Sequence, residues 1–530
     1  MLHINNLSIT FKNSEKDVMA VKELSFKVKK GSFFGIAGES GSGKTQTMLS
    51  IMGLLEPTAS VSGSIIFNDV NLLSLSEAHI NQVRSDKISI IFQDPMTSLN
   101  PFLTIGSQLT EVLIYHKNYS KTAAIKRSIE FLELVQLDNA DTLMRRYPHE
   151  LSGGMRQRVA IAMALLCEPE LLIADEATTA LDVIVQSDIL ALLKKLKKQL
   201  DMTIIMITHD LAVISECCDD VMIMHQGELK EIGSVKTIFK QPSDIYTKQL
   251  LAAVPKIKKG KSKKQTFAIS SRGSILSTNK LSVQYVTETH LFGKPAITKA
   301  VDTISFDVYE GETLGIVGES GCGKSSLART LIGLHEPSSG KITSNGYPIS
   351  DLIERGKYNK DVQIIFQDPL ASLNPRMTIA DIIAEPLQVF EPSLNPNQRK
   401  EKVLAMLEDV GLDATMINRY PHEFSGGQCQ RISIARSLIS RPKILVCDEP
   451  VSALDVSIQE QILKLLQKLK TKFQLTILFI SHDLSVVQQM SDHVMVMYKG
   501  KIVEYGPKDQ IYNQPKHDYT KKLLAAVPTL

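Results

Sequence analysis

One stretch of sequence occurs twice and decides the fold. From Leu151 to Asp182 it is L-S-G-G-M-R-Q-R-V-A-I-A-M-A-L-L-C-E-P-E-L-L-I-A-D-E-A-T-T-A-L-D. From Phe424 to Asp455 the chain gives F-S-G-G-Q-C-Q-R-I-S-I-A-R-S-L-I-S-R-P-K-I-L-V-C-D-E-P-V-S-A-L-D. In both copies 23 positions separate the serine of S-G-G from the aspartate of D-E, and 34 more lead to a histidine. Equal spacing over so many positions indicates two copies of one folded unit.

The residue types in this stretch point to a ligand site. Ser152-Gly153-Gly154 opens a run with apolar residues at helical spacing, and Ser425-Gly426-Gly427 is its second copy. A helix N-terminus offers unpaired amide donors and partial positive charge, and two glycines let an anion approach the backbone closely. The apolar runs that end in Asp175-Glu176 and Asp448-Glu449 predict buried strands. Acids at the carboxyl end of such strands lie where open α/β sheets hold their ligands.

A second repeated motif predicts phosphate binding. It is Gly38-Glu39-Ser40-Gly41-Ser42-Gly43-Lys44-Thr45 in the first copy and Gly318-Glu319-Ser320-Gly321-Cys322-Gly323-Lys324-Ser325 in the second, where Ser326 is added as a further binding residue. Both satisfy G-x-x-x-x-G-K-[ST] after a predicted strand and at the start of a predicted helix. Glycines let backbone amides wrap phosphates, the lysine neutralises the β and γ oxygens, and the hydroxyl ligates Mg²⁺.

Together these motifs resemble the Walker A, signature, Walker B and D-loop sequences of ABC-type ATPase domains, and the resemblance covers nearly the whole chain, twice. It implies an α/β fold of two tandem P-loop domains, each with a RecA-like core, an antiparallel β part and a helical subdomain. At 530 residues, two domains are expected. We predict domains at 1–255 and 275–530, joined by a flexible lysine-rich linker at 256–274. A helical pattern from Thr104 to Leu137 matches the expected subdomain, although a helical insertion with only a packing role fits the same pattern.

The resemblance implies three kinds of catalytic residue in each copy: a glutamate that polarises the attacking water, a histidine that contacts the γ-phosphate, and a Q-loop glutamine that senses the nucleotide. These are Glu176, His209 and Gln93 in the first copy, and Glu449, His482 and Gln367 in the second. The implied Mg²⁺ ligands are Thr45, Gln93 and Asp175, and likewise Ser325, Gln367 and Asp448. Phe11 and Tyr285 would stack on adenine by resemblance; an ordinary strand aromatic packed in a core is the alternative.

The family's head-to-tail pairing implies that each ATP, with Mg²⁺, lies between the phosphate loop of one copy and the S-G-G of the other, in an internal pseudo-dimer. Both copies keep the matched residues, so we predict two competent sites. Three departures stand out. Ala177 replaces the usual proline after D-E, Cys429 replaces an arginine and removes a possible phosphate or interdomain contact, and Cys322 lies inside the second phosphate loop. If the Cys322 thiol is exposed without ATP, its alkylation is expected to block one site.

Composition limits the function classes. A net charge of +3 with 22% charged residues does not favour a nucleic-acid-binding protein. No apolar run reaches the roughly 18–20 residues of a membrane span, and no signal peptide is evident at Met1. Six scattered cysteines fit reduced thiols in a cytosolic protein. Six lysines within 256–264 could meet anionic lipid or nucleic acid, but a solvated tether is the simpler interpretation.

Two further motifs narrow the family. F-Q-D-P-M-T-S-L-N-P is echoed by F-Q-D-P-L-A-S-L-N-P, and each half ends in Y-T-x-x-L-L-A-A-V-P. Both resemble the ATP-binding subunits of bacterial peptide and nickel importers, in particular the fused double forms for peptides, glutathione and microcin. Many members continue into a cysteine-containing extension that can hold an iron–sulfur cluster; this chain stops two residues after Pro528, so no cluster is predicted.

The expected function is therefore that of an ATPase energising an oligopeptide or dipeptide importer on the cytoplasmic face of the bacterial inner membrane. The resemblance implies two transmembrane permease subunits, an extracytoplasmic substrate-binding protein and no nucleic acid as partners. Nickel, metallophore or glutathione import is the alternative within this class. A soluble twin-cassette ATPase acting on the ribosome is the alternative from another class, although such proteins carry a long charged helical linker that the join here lacks.

Overall fold

The computed structural model describes residues 1–12, 17–93, 98–178, 181–255, 273–288, 296–452 and 454–528. Nearly all of the predicted linker, part of the first Q-D-P motif at 94–97 and parts of the two A-L-D motifs at 179–180 and 453 lie outside these residues. The chain divides into two compact units, one containing Met1–Val254 and the other Pro255–Val527.

The first unit has two sheets, and its strands are β1 (Leu2–Phe11), β2 (Val18–Val28), β3 (Phe33–Ala37), β4 (Ala59–Phe67), β5 (Val70–Asn71), β6 (Ile88–Ile91), β7 (Leu171–Asp175), β8 (Thr203–Thr208), β9 (Asp220–His225) and β10 (Glu228–Ser234). One sheet is antiparallel, in the order β2-β1-β4-β5. The other has the order β10-β9-β3-β8-β7-β6, and only β10 runs antiparallel to its neighbour. Its described α-helices are α1 (Lys44–Met52), α2 (Glu77–Val83), α3 (Ile105–Lys117), α4 (Lys121–Leu134), α5 (Ala140–Leu143), α6 (Gly153–Leu165), α7 (Val183–Gln199), α8 (Leu211–Cys217), α9 (Val235–Lys240) and α10 (Ile245–Ala253).

The second unit repeats this topology with strands β11 (Ser274–Glu288), β12 (Ala296–Tyr309), β13 (Thr313–Val317), β14 (Ser339–Ser344), β15 (Tyr347–Pro348), β16 (Val362–Ile365), β17 (Ile444–Asp448), β18 (Thr476–Ile480), β19 (His493–Tyr498) and β20 (Lys501–Pro507). The sheet orders are β12-β11-β14-β15 and β16-β17-β18-β13-β19-β20. Its described α-helices are α11 (Lys324–Leu331), α12 (Ile349–Glu354), α13 (Tyr358–Asp361), α14 (Pro369–Ser372), α15 (Ile379–Phe390), α16 (Pro396–Asp409), α17 (Gly426–Leu438), α18 (Val456–Phe473), α19 (Leu484–Met490), α20 (Lys508–Asn513) and α21 (Asp518–Ala525).

The central parallel strands are apolar along their whole length because both faces of the sheet are covered. All residues of β3, β7 and β8 are buried. Along β8 successive side chains point to opposite faces. Ile204 belongs to the core cluster on the helical side, and Ile205 to the cluster shared with the antiparallel sheet. The acids that follow β7 are thereby fixed at the carboxyl end of a strand with little freedom to move.

The helical pattern predicted from Thr104 to Leu137 is confirmed as α3 and α4. Thr104 caps α3 by accepting a hydrogen bond from the Ser107 amide, so the helix begins where the sequence predicts. Leu109 and Leu132 are fully buried in the core cluster that continues into the α/β core. Ile125, predicted on the same buried face, is instead 39% exposed at the rim of a surface cavity of about 680 Å³. The subdomain is therefore packed onto the core along one face only.

Candidate functional site

The phosphate loops connect β3 to α1 and β13 to α11. Gly43 and Gly323 end the loops with φ of 92° and 104°, in the left-handed region that favours glycine. A Cβ at Gly43 would lie 2.4 Å from the Ala20 carbonyl oxygen, and one at Gly323 would lie 2.0 Å from that of Ala300. Both the conformation and the space therefore require glycine where the loop enters the helix.

Each loop holds its own lysine at the mouth of the site. Lys44 Nζ donates to the carbonyl oxygens of Gly38 and Glu39, both at 2.8 Å. Lys324 Nζ donates to those of Gly318 and Glu319 at 2.7 and 2.9 Å. Both lysines are only 5% exposed, so the ammonium group is buried against neutral oxygens at the start of a helix. A phosphate would supply the anionic partner that this charge lacks among these contacts, and the loop therefore fits a nucleotide phosphate.

The hydroxyl and the first acid of each copy meet. Thr45 Oγ1 donates to Asp175 Oδ1 at 3.4 Å, and Ser325 Oγ donates to Asp448 Oδ1 at 3.2 Å. Burial raises the pKa of Asp175 to about 6 and also raises the pKa of Asp448. A bound cation would reverse this effect by favouring the ionised form.

This oxygen pair fits Mg²⁺, which is a hard cation that prefers oxygen ligands. Within the described ranges, no three His, Cys, Asp or Glu side chains come together as a metal cluster. Mg²⁺ at nucleotide sites does not need one, since it keeps several waters and binds through one or two carboxylates plus substrate phosphates. When bound, it would neutralise charge that develops on the β and γ oxygens.

The predicted catalytic glutamates are in contact with both of their predicted neighbours. Gln93 Nε2 donates to Glu176 Oε2 at 2.8 Å, and His209 Nδ1 lies 3.2 Å from Glu176 Oε1. In the second unit, Gln367 Nε2 and His482 Nδ1 lie 3.2 and 3.1 Å from Glu449 Oε2. The structure therefore brings together the glutamine, glutamate and histidine of each copy from three separate strand ends.

Backbone and charge both prepare this glutamate. Glu176 and Glu449 have φ of 46° and 49°, a left-handed conformation that costs energy for a residue with a side chain. Burial opposes ionisation of Glu449, but the hydrogen bond and charge of His482 hold the pKa of Glu449 below its usual value. Burial likewise opposes protonation of His482, yet the contact with Glu449 raises the pKa of His482. An ionised carboxylate beside a histidine is suited to orient a water molecule or accept its proton.

The signature residues occupy helix N-termini. Ser152 caps α6 by accepting a hydrogen bond from the Met155 amide, and Ser425 caps α17 in the same way with Gln428. Gly153 and Gly426 have no atom within 3.4 Å of an added Cβ, so backbone amides there are open to approach. The second glycines, Gly154 and Gly427, are closely packed instead, and the two positions of the motif have different surroundings.

The two aromatic residues are half-buried. Phe11 pairs with Val18 across the sheet and packs against the adjoining core cluster. Tyr285 contacts the ring of His335 edge-on, with centroids 5.7 Å apart, and also packs against the core of its unit. Their partial exposure is compatible with adenine stacking, which stays a prediction.

Two expectations about cysteines need correction. Cys322 is 5% exposed, and burial raises the pKa of its thiol, so the exposed thiol on which the alkylation expectation depends is not present. The phosphate loop turns this side chain inward, towards Lys324 Nζ at 3.9 Å. Cys429 is fully buried and its thiol donates to the Pro421 carbonyl at 3.5 Å. At this position the second unit therefore has a packed thiol where the first has Arg156.

One contact of the phosphate loop escaped sequence analysis. The Glu319 amide donates to Tyr519 Oη at 3.0 Å, although the two residues are 200 positions apart. Tyr519 belongs to the Y-T-x-x-L-L-A-A-V-P tail, whose sequence marks a subfamily but does not indicate a contact. The equal distance of this tail from the phosphate loop in each half was the available signal.

Comparison with known proteins agrees with this geometry. Residues 21–179 and 301–452 match the family described as ABC transporter, and together they make up more than half of the chain. The chain belongs to the ABC transporter family. Residues 231–278 and 503–530 also match the oligopeptide/dipeptide transporter C-terminal region. The predicted fold, the ATP-binding cassettes and the assignment as a transport ATPase are thereby confirmed.

Relatives of this ABC transporter protein extend over its full length. It is 45% identical over 566 aligned residues to the glutathione import ATP-binding protein GsiA of Escherichia coli (strain K12), covering 100% of this chain and 89% of that protein. The protein of the same name from Shigella flexneri is 44% identical over the same coverage. A solved dimer of the ATP-binding cassette MJ0796 with ADP and Pi is 31% identical and covers 44% of this chain and 99% of its own, at a TM-score of 0.41. In the described parts of the chain, no helix has both the length and the apolar character that crossing a membrane demands.

Proposed function

We propose that this ATPase energises the import of short peptides across the bacterial inner membrane. The observation that supports the proposal is the duplicated contact set of lysine, hydroxyl, aspartate, glutamine, glutamate and histidine in each cassette, joined in both halves to the peptide-transporter C-terminal region. The protein would act at the cytoplasmic face together with two transmembrane permease subunits, which receive cargo from an extracytoplasmic substrate-binding protein.

The proposed chemistry assigns the chain's own groups to separate tasks. Lys44 and Lys324 bind the β and γ phosphate oxygens, and the adjacent loop amides complete the cradle. Thr45 with Asp175, and Ser325 with Asp448, would hold Mg²⁺, with Gln93 and Gln367 as further ligands. Glu176 and Glu449 orient the attacking water, and His209 and His482 contact the γ-phosphate.

The domain boundaries at 1–255 and 275–530, with a linker at 256–274, are part of this proposal. So is the head-to-tail arrangement, in which two ATPs are sandwiched between the two cassettes. Closure would be driven by the γ-phosphate, because a ligand shifts an equilibrium only through its different affinity for the two states.

Glutathione is the favoured specific cargo within the short-peptide class. It is itself a small peptide, and full-length relatives at 44–45% identity are named as glutathione import proteins. Nickel or metallophore import has no comparable support. Uptake of radiolabelled glutathione and of a labelled dipeptide, in cells with and without the gene, would separate the cargoes by which uptake is lost.

The ATPase role is tested with Glu176→Gln and Glu449→Gln, which keep the size of the side chain but remove its charge. Each is expected to lower ATP turnover at its own site by about 10²–10⁴-fold while ATP binding remains. Glu401→Gln, on the exposed face of α16, is the matched control. Undiminished turnover in the double variant would refute the assignment of both glutamates.

The same double variant, held with ATP, also tests the partners. A mild-detergent pull-down is expected to recover two polytopic membrane proteins. Recovery of ribosomes without permeases would refute the importer proposal and favour the translation-factor alternative.

A further inference from the structure

The C-terminal region of the second unit contacts the phosphate loop directly. Glu504, on β20, accepts hydrogen bonds from the amides of Lys516 and His517 at 2.9 and 3.1 Å. His517 then caps α21 through Nδ1, which accepts from the Tyr519 amide at 3.1 Å. The Tyr519 ring packs against Tyr498 with centroids 4.2 Å apart, and its side chain is buried. The tail is therefore anchored to the sheet, and Tyr519 is fixed in place before it reaches the loop.

The bond that Tyr519 makes closes one end of a single peptide unit. The Glu319 amide donates to Tyr519 Oη at 3.0 Å, and the Gly318 carbonyl of the same peptide accepts from Lys324 Nζ at 2.7 Å. A peptide unit is planar, so these two contacts together fix its orientation. This orientation in turn sets the direction of the loop whose following amides face the phosphates.

The two anchors do not respond to nucleotide in the same way. When a phosphate binds, the lysine transfers its hydrogen bonds from the loop carbonyls to phosphate oxygens. The carbonyl end of the Gly318–Glu319 peptide is then released, while the hydroxyl of Tyr519 stays in place because its helix is held by Glu504. The tyrosine contact is therefore worth more in the nucleotide-bound state than in the free state.

The first unit reaches its phosphate loop by a different contact. Glu231 accepts from the Ser243 and Asp244 amides and anchors the tail as Glu504 does. The ring of Tyr246, however, stacks on His225 at 4.0 Å, and His225 Nδ1 lies 3.8 Å from Glu39 Oε2. The second unit has Tyr498 in place of this histidine.

We propose that Tyr519 is a positioning residue for ATP binding at the second phosphate loop, and that the C-terminal region thereby supports the nucleotide site of its own cassette. The inference rests on the proposed phosphate-binding role of Gly318–Ser325. Removal of the hydroxyl weakens ATP binding at this loop without unfolding the unit, because the ring and its contact with Tyr498 are kept.

The test is Tyr519→Phe in a Lys44→Ala background, in which only the second phosphate loop binds nucleotide. Binding of the non-hydrolysable analogue AMP-PNP with Mg²⁺ is measured by calorimetry, and thermal unfolding is measured without nucleotide. The expected result is a Kd raised about three- to tenfold, as for the loss of one neutral hydrogen bond, with little change in Tm. Tyr505→Phe is the matched control, since it loses a 3.3 Å bond to the Asp307 carbonyl away from the loop.

Three results would overturn this inference or its basis, and they are distinguishable. An unchanged Kd, or a lower Tm with an unchanged Kd, assigns the Tyr519 bond to fold stability alone. An equal rise in Kd for Tyr505→Phe shows a general effect of losing a tyrosine hydroxyl. Binding that persists in Lys44→Ala/Lys324→Ala instead refutes the phosphate-binding role of the loops, whatever Tyr519 does.

Discussion

The two glycines of the second signature motif should be required for different reasons. An added Cβ at Gly427 would lie 2.5 Å from Ile458 Cγ2, a distance that real Cβ atoms do not adopt. At Gly426 the nearest atom to an added Cβ is Leu454 Cδ2, at an ordinary contact distance of 3.7 Å. Gly427→Ala therefore overpacks the contact between α17 and α18, and Gly426→Ala does not.

The expected magnitudes follow from this packing. Overpacking costs about 1–3 kcal/mol, and alanine in place of a helical glycine offsets roughly 0.5–1 kcal/mol of it. Gly427→Ala should therefore lower the free energy of unfolding of the second unit by about 0.5–2 kcal/mol. Gly426→Ala should leave it unchanged or slightly higher, but its methyl group stands where an anion would approach the helix amides, so ATP turnover should fall by about tenfold or more.

Thermal and urea unfolding of the full chain, measured beside steady-state ATPase, separates the two effects. Ile458→Ala added to Gly427→Ala should recover part of the stability, since it removes the clashing atom from a half-buried position. In the first unit, Gly153→Ala and Gly154→Ala should behave as Gly426→Ala and Gly427→Ala do, with Val185 Cγ1 at 2.8 Å from the second glycine. Equal loss of stability in both variants of one pair would refute this reasoning.

Two further predictions concern buried groups at the sites. Asp175→Asn should abolish turnover at its site yet raise the free energy of unfolding without Mg²⁺ by about 1–3 kcal/mol at pH 7.5. The wild-type pKa is about 6 when folded, so the cost of ionising Asp175 begins near pH 4, where the unfolded chain ionises, and is complete above pH 6; the difference from Asp175→Asn in urea unfolding should therefore shrink at pH 5, and a constant difference would contradict this cause. Cys322 should react with a maleimide far more slowly than an exposed thiol, because it is buried and its pKa is raised; rapid labelling of folded protein, read by peptide mass mapping, would show that the loop opens.

The sequence predicts the buried parallel strands closely. The run Phe33–Ala37 is a strand with the predicted bounds, and Thr203–Thr208 begins one residue later than predicted. These strands are covered on both faces, so continuous apolarity identifies them and the next polar residue ends them. The contacts of Gln93 and His209 with Glu176 were likewise implied, since all three follow strands of one sheet whose carboxyl ends lie together.

Other features depend on tertiary packing that sequence spacing does not encode. Glu319 and Tyr519 are far apart in sequence, and neither the loop nor the tail pattern indicates that they meet. The inward turn of Cys322 depends on the path of the loop, while a cysteine among glycines and serines suggests an exposed thiol. Ile125 has helical spacing like its buried neighbours, yet the subdomain covers only one face of its helix.

The two cassettes are alike where they would face the nucleotide and differ behind it. Lysine, hydroxyl, aspartate, glutamine, glutamate and histidine make equivalent contacts in both units. The differences lie one layer back, where Cys322 replaces Ser42, Cys429 replaces Arg156, and Tyr498 replaces His225. Groups at the first layer determine whether a site can hydrolyse ATP, and groups behind them tune how rigidly it is held. This arrangement supports the prediction of two competent sites and places any difference in their rates or affinities in the supporting residues, with Tyr519 the most direct of these supports.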